Sequence, residues 1–178
     1  MWLLVFCIPA VLMAQDEKVA AREAAGCGPA ETQFSVKTDK NQHPMAEPPS
    51  DKALVYIFED EKRDDKILQL ASVTTRVGVD GKWVGANHGR SYFSFVAQPG
   101  EHHLCTDWQS SFKRYSRLGS ALTVSLEPGK AYFFRVQVEY LPDRPAAVKL
   151  EQLDSAQGQF LVSSHALSTA REKEVASN

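Results

Sequence analysis

The stretch AYFFRVQVEY, residues 131–140, decides the fold class. Apolar side chains recur at every second position, and the polar residues Arg135, Gln137 and Glu139 stand between them. Because successive side chains of a strand point to opposite faces of a sheet, this alternation predicts a β-strand. The residues that we expect to face the core are Tyr132, Phe134, Val136, Val138 and Tyr140.

Other short β-prone runs lie on both sides of this stretch and are separated by turn residues. ALVYIF (53–58) is apolar at both parities, which predicts a strand buried on both faces. Asp80-Gly81 favours a type I′ hairpin, because both central residues of that turn need positive φ. Pro-Gly pairs at 99–100 and 128–129 mark further turns. The spacing predicts an all-β protein, an antiparallel β-sandwich of about seven or eight strands.

A short C-terminal helix is predicted after the last strand. Asp154 is suited to cap the N-terminus of SAQGQFLVSS, residues 155–164. We expect Phe160 and Leu161 of this helix to dock on the sheet.

The two ends of the chain differ in composition from the middle. Residues 1–14, MWLLVFCIPAVLMA, are nearly all apolar, uncharged and too short to span a bilayer, which is typical of a signal peptide cleaved after Ala14. Residues 15–52, polar and proline-containing, are expected to be a flexible N-terminal segment and linker. The β-sandwich domain is expected at 53–165, and residues 166–178 are expected to be a disordered tail.

Two cysteines, Cys27 and Cys105, remain once the leader and its Cys7 are removed. An even number of cysteines in an exported chain favours a disulfide between them. Two unpaired thiols, or pairing with another chain, are the alternatives.

The charge pattern limits the class of partner. Twenty basic and 22 acidic residues give a net charge of −2, and the two signs are mixed along the sequence. This balance provides no long-range attraction for nucleic acid, so no nucleic-acid partner is expected. We expect no transmembrane helix in the mature chain.

Three segments together resemble a family of exported bacterial domains of unknown function. VGVDGKWVGANHGRSYFSFVAQPGEHHL (77–104), EPGKAYFFRV (127–136) and LDSAQGQFLV (153–162) are similar to the pattern of PEGA-like β-sandwich domains. The resemblance covers about residues 53–165 and concerns the order of turns and strands. It implies a β-sandwich of the cell envelope, periplasmic or secreted, and implies no catalytic residue.

The cluster QPGEHHLC, residues 98–105, raises the question of a metal site. In a strand, His102 shares a face with Leu104, whereas His103 and Cys105 point to the opposite face, so the three cannot bind one ion. The paired spacings typical of zinc sites, the G-x-S-x-G motif of hydrolases and the glycine-rich nucleotide- and phosphate-binding motifs are absent from the sequence. Ser110 and Lys113 match an S-x-x-K spacing, but its companion motifs are missing, which favours a chance match. We therefore predict no catalytic residue, no metal and no cofactor.

Two groups of side chains suit ligand contact, because aromatic faces beside polar and basic groups bind proteins and glycans well. The alternative is that the aromatic rings close the ends of the core. The candidate contact residues are Trp83, Asn87, His88, Arg90, Trp108 and Tyr115.

These observations predict a non-catalytic, exported envelope module that contacts a protein, a glycan or another envelope polymer. The alternative is an exported metal-dependent or hydrolytic enzyme that uses His88 and His103.

Overall fold

The structure, a computed structural model, describes residues 20–22, 24–60, 73–111, 118–139 and 147–173. This part of the chain is mostly strand, which confirms the all-β prediction. Its elements are β1 (Phe34–Asp39), β2 (Ala53–Glu59), β3 (Thr74–Val79), β4 (Lys82–Asn87), β5 (Ser91–Ala97), β6 (Gly100–Gln109), β7 (Gly119–Leu126), β8 (Ala131–Glu139), β9 (Ala147–Leu153), α1 (Ser155–Ser164) and β10 (Ala166–Glu172).

The strands form two sheets. One has six strands in the order β1-β10-β5-β2-β8-β9, and the other has four in the order β4-β3-β6-β7. Two pairs, β2 with β8 and β10 with β5, are parallel. The predicted seven or eight antiparallel strands are therefore corrected to ten strands within the described residues, in a partly mixed arrangement. Parallel pairs need long crossover connections, which turn signals do not reveal. The crossover from β2 to β8 contains the whole four-stranded sheet.

The main core lies between the two sheets. Val77 and Leu104 of the four-stranded sheet meet Ile57 and Phe134 of the six-stranded sheet in one buried cluster. The alternation in AYFFRVQVEY places Phe134 and Val136 on the same face of β8, and both point into this cluster.

The opposite face of the six-stranded sheet is also covered. Tyr56 stacks on Phe133 with ring centroids 5.1 Å apart, and Phe58 lies beside the pair. Leu161 of α1 packs in the same cluster. Every residue of β2 is buried, which confirms that ALVYIF forms a strand covered on both faces.

Helix α1 begins as predicted, with the Asp154 carboxylate accepting a hydrogen bond from the backbone N–H of Gln157. Leu161 docks on the sheet, but the prediction for Phe160 is wrong, since 67% of its surface is exposed. The buried face of the helix is Gly158, Leu161 and Val162, and the residue before Leu161 points away from it. No helix among the described residues is both long and apolar enough to span a membrane.

Gly158 has a packing role that reverses its usual effect in a helix. An alanine Cβ there would lie 2.1 Å from Cγ of Phe133. Alanine ordinarily stabilises a helix by about 1 kcal/mol relative to glycine, yet overpacking costs about 1–3 kcal/mol. We expect Gly158→Ala to lower the free energy of unfolding in urea titration, whereas Gln159→Ala on the exposed side should change it by a few tenths of a kcal/mol. A stabilised Gly158→Ala variant would contradict this packing.

Strands β1 and β10 lie where the sequence predicted a linker and a disordered tail. They pair antiparallel from Phe34 opposite Glu172 to Asp39 opposite Leu167, and β10 joins the sheet by pairing with β5. The expectation of disorder rested on polar composition. These strands are held by a backbone ladder at the sheet edge, where side chains can stay exposed.

Candidate functional site

The segment 24–33, here called the strap, crosses the outer face of the four-stranded sheet. The disulfide Cys27–Cys105 joins it to β6, with a Cα–Cα distance of 5.0 Å, and confirms the predicted pairing. Gly78 of β3 allows a close approach, because a Cβ there would lie 2.7 Å from the Gly26 carbonyl oxygen. Both faces of the smaller sheet are therefore covered in this region.

A buried ion pair lies beneath the strap. The Arg76 guanidinium donates from Nε to Asp107 Oδ1 at 2.7 Å and from Nη2 to Oδ2 at 2.8 Å. Its remaining nitrogen, Nη1, donates to the carbonyl oxygens of Ala30 and Thr32 in the strap. Arg22 forms a second ion pair with Asp107. The pair thus fixes the backbone of the strap as well as neutralising its own buried charges.

Trp83, a predicted contact residue, belongs to the same structural unit. Its indole Nε1 donates to the Pro29 carbonyl oxygen at 2.8 Å, and Arg76 Cζ lies 4.5 Å from the ring centroid. Gly28 packs so closely on the indole that a Cβ would lie 2.5 Å from Cδ1. The strap therefore covers much of the surface that Trp83 was predicted to offer a ligand.

The histidines of QPGEHHLC have structural partners. His102 lies between Asp80 Oδ2, 2.6 Å from Nδ1, and the Gln98 carbonyl oxygen, 2.7 Å from Nε2. His103 Nδ1 lies 3.1 Å from Thr123 Oγ1. Asp80 has φ 49° and Gly81 φ 82°, as the predicted type I′ turn requires, so the turn also supplies the carboxylate that binds His102.

Protonation of His102 is coupled to this turn. Burial opposes the charged imidazolium, but hydrogen bonds to Asp80 and the Gln98 carbonyl outweigh it and raise the pKa of His102. Burial also opposes the Asp80 carboxylate, and bonds from the His103 N–H and from His102 outweigh it and lower the pKa of Asp80.

The pH dependence follows from the sign of these shifts. The stability that protonated His102 contributes is fully present below its unfolded pKa of 6.5 and is lost as pH rises through the higher folded pKa. The contribution of Asp80 is present above its unfolded pKa of 3.8 and is lost as pH falls through the lower folded value. We expect urea midpoints of the wild type to fall between about pH 5.5 and pH 8.5 more steeply than those of His102→Gln. Equal slopes would contradict the assignment.

Arg90, another predicted contact residue, lies in a charged cluster at the end of β2. Its Nε is 3.7 Å from Asp60 Oδ1, and Arg135 Nη1 is 3.6 Å from Oδ2. The buried His165 places Nε2 3.2 Å from Asp60 Oδ1. The contact with His165 is the largest cause that lowers the pKa of Asp60, against the effect of burial. Arg135 also pairs with Glu151, which extends the cluster along the sheet.

Ser164, His165 and Asp60 lie side by side in space, with the imidazole between the hydroxyl and the carboxylate, as in a serine-nucleophile triad. Ser164 Oγ lies 3.1 Å from His165 Nδ1, on the other side of the ring from Asp60. However, Ser164 is the last residue of α1, and its hydroxyl also lies 3.3 Å from the Leu161 carbonyl oxygen. The C-terminal end of a helix carries partial negative charge, which disfavours the oxyanion of acyl transfer. We interpret these contacts as structural.

Two of the remaining predicted contact residues are buried, and a third lies outside the described residues. Asn87 is fully buried and donates its side-chain amide to the Ile57 carbonyl oxygen at 3.0 Å. Trp108, at 2% exposure, belongs to the core between the sheets, in agreement with the alternative that the aromatic rings close the core. Burial leaves neither side chain within reach of a ligand. Tyr115 lies outside the described residues.

The remaining residue, His88, lines a polar cleft of about 400 Å³ that we call the edge cleft. The edge cleft lies between β1 and the adjoining ends of β3, β4 and β6. His88 Nδ1 is 2.8 Å from the Val73 carbonyl oxygen. The lining residues are Gln33, Phe34, Ser35, Val36, Thr74, His88, Gln109, Ser110, Ser111 and Lys173.

Gln109 lines the edge cleft and bonds the backbone of β1. Its Oε1 accepts from the Phe34 N–H at 2.6 Å, and its Nε2 donates to the Phe34 carbonyl oxygen at 2.9 Å. A primary amide has the donor and acceptor of a peptide group. Gln109 therefore continues the sheet at this position as a neighbouring strand would.

Sequence reasoning missed Gln109, Lys173, Asp60 and His165. Gln109 and Lys173 become part of a site through the placement of β1 and β10, which have no strong strand signal of their own. Asp60 and His165 meet because the start of β10 pairs with β5 beside the end of β2. A lone polar residue at the end of a strand has no local pattern that indicates a long-range partner. Finding them would have required a prediction of the pairings of β10 with β1 and with β5.

Comparisons with known proteins add no family. Neither a protein-family model, nor a curated protein, nor a solved structure is significantly similar to this chain. In the described ranges, His, Cys, Asp and Glu side chains form no group of three or more that could hold a metal ion.

Proposed function

We propose that this protein is a non-catalytic, exported β-sandwich module of the periplasm, envelope surface or secreted fraction, stapled by Cys27–Cys105, which acts by contacting a protein or an envelope polymer. The observation that supports contact most is the edge cleft. Its volume of about 400 Å³ is in the range of ligand sites, and its wall combines side-chain hydrogen-bonding groups with the backbone of an edge strand. The Cys27–Cys105 disulfide supports an oxidising compartment.

The alternative, an enzyme that uses His88 and His103, is supported less well. His88 follows Asn87, which pairs with Thr75 near the start of β3, whereas His103 bonds the backbone of Asp80 just beyond its end. About six residues of strand separate these positions, which corresponds to about 20 Å. One metal ion or one reacting group cannot contact both side chains across that distance.

Intact mass spectrometry of the protein recovered from the exported fraction tests this proposal. We expect a native chain that begins at Gln15, carries no stoichiometric metal and has two thiols that alkylate only after reduction. The same preparations of His88→Ala and His103→Ala should likewise carry no metal. A retained leader, free thiols in the native protein, or a transition metal in the wild type that either variant loses would overturn the proposal and favour the enzyme.

A further inference from the structure

The backbone groups of β1 divide into two alternating sets. Lys173 N–H donates to the Gln33 carbonyl oxygen at 2.7 Å, and these residues extend the register in which Phe34 lies opposite Glu172. In an antiparallel pair, every second residue directs its N–H and C=O to the partner. The odd-numbered residues of β1 therefore bond β10, and Phe34, Val36 and Thr38 direct their backbone groups to the opposite side.

In the part of the chain that the structure describes, that opposite side is an open sheet edge beyond Phe34. Gln109 satisfies Phe34 with its side-chain amide. Among the described residues, no hydrogen bond reaches the outward N–H and C=O groups of Val36 and Thr38. Val36 lines the edge cleft, so the unpaired edge and the cavity are one continuous site. An edge of this kind is a template for an additional strand.

Most charged side chains along β1 and beside it are positive, although Glu172 lies opposite Phe34 on β10. Among the described residues that line the edge cleft, Lys173 is the one that carries a full charge at neutral pH. Lys37 and Lys40 are exposed on β1 and directly after it. The nearby Asp39 carboxylate is engaged locally, since it accepts from Asn41 N–H at 2.9 Å and from Gln42 Nε2 at 2.8 Å. An incoming segment with acidic side chains would therefore be favoured.

A second copy of the chain fits this edge poorly. Antiparallel pairing of β1 with its own copy about Lys37 would place two lysines directly opposite each other, which is destabilising. Pairing about Val36 would bring Thr38 of one copy to Phe34 of the other, where Gln109 already occupies the hydrogen-bonding position.

We propose that the β1 edge binds an extended, acidic polypeptide segment of another protein by strand addition at Val36 and Thr38. Gln109, which occupies the hydrogen-bonding position at Phe34, limits how far the added strand can extend along β1. This inference rests on the proposed contact function and names its partner class and its surface. The bound segment would become the seventh strand of the larger sheet, and the edge cleft would receive its side chains.

The test uses random nine-residue peptides displayed on phage and selected against the intact, disulfide-bonded protein. Selected sequences are synthesised unmodified and with N-methyl groups on one or the other set of alternate amides. We expect acidic residues in the selected sequences. One methylated set should bind about tenfold more weakly, because it lacks the bonds to Val36 and Thr38, and the other should bind within about threefold of the parent peptide.

Amide hydrogen exchange by NMR locates the peptide. Binding should slow exchange of the Val36 and Thr38 amides, whereas those of Ser35 and Lys37 are already protected by β10. Lys37→Glu should weaken binding of acidic peptides about threefold or more. Lys82→Glu, the same charge reversal at an exposed position at the start of β4, should leave the affinity within about twofold.

Three outcomes would overturn the inference. The first is that no peptide is selected, and the second is that selected peptides leave the Val36 and Thr38 amides unprotected. In either case the intact-mass experiment decides independently whether the proposed function stands. The third is a dimer that protects these amides without peptide, which would identify a second copy as the occupant and overturn the partner proposed here.

Discussion

Asp107→Asn is expected to lower the free energy of unfolding by about 3–5 kcal/mol, the usual cost of removing one partner of a buried ion pair. The substitution would keep the size of the side chain but leave the buried Arg76 guanidinium without a counter-charge. The strap would be affected as well, because the same guanidinium bonds the carbonyl oxygens of Ala30 and Thr32. Guanidinium chloride titration of the disulfide-bonded protein measures the loss.

Two controls separate this mechanism from a general effect of charge. Glu151→Gln breaks the more exposed pair with Arg135 and should cost about 1 kcal/mol or less. Combining Arg76→Met with Asp107→Leu should cost less than the sum of the two single changes, because no buried charge remains unpaired. An Asp107→Asn variant within about 1 kcal/mol of the wild type would show that the pair does not hold the strap.

Cys27→Ser is expected to have an effect of similar size for a different reason. The disulfide closes a loop between residues 78 positions apart, and the chain-entropy relation gives about 4–5 kcal/mol for such a loop. Removal destabilises mainly because the unfolded chain gains freedom, so the contacts of the strap can persist in the folded variant. The unfolding midpoint should fall equally in Cys27→Ser and in wild type treated with a reducing agent.

The non-additivity of these two changes is informative. Both Cys27 and Arg76 hold the strap against the same sheet, so loss of one weakens the position of the other. We expect Cys27→Ser combined with Asp107→Asn to differ from the sum of the single effects by at least about 0.5 kcal/mol. Additive effects would mean that the disulfide and the ion pair stabilise the protein independently of each other. A midpoint unchanged by reduction would mean that the disulfide does not contribute to global stability.

The elements that were predicted correctly form through interactions between residues close together in the sequence. Asp80-Gly81 forms its turn because of backbone conformation, and Asp154 caps α1 because its side chain reaches an N–H three residues away. Predicting the disulfide needed only an even count of cysteines and the expectation of export. The prediction for Phe160 was wrong because packing on the sheet decides which side of α1 is buried. Gly158 lies against Phe133, and Phe160 is then on the exposed side.

The elements missed have causes that lie far apart in the sequence. β1 and β10 are polar, and each becomes a strand because the other lies beside it. The strap is held by Arg76 and Asp107, which come from different strands and carry no pattern that indicates burial. Of the predicted contact residues, His88 was brought to a cavity, but the cavity wall from β1 and Gln109 depends on this long-range pairing.

The position of β10 constrains the order in which the protein can fold. β10 lies between β1 and β5, so β1 has no strand to join until residues 166–172 have been synthesised. The N-terminal residues are synthesised first, and pairings between strands as distant in sequence as β1 and β10 form slowly. Cys27 and Cys105 both emerge well before β10, so oxidation can precede completion of the larger sheet. The early covalent link would then hold the strap in place while the last strand inserts.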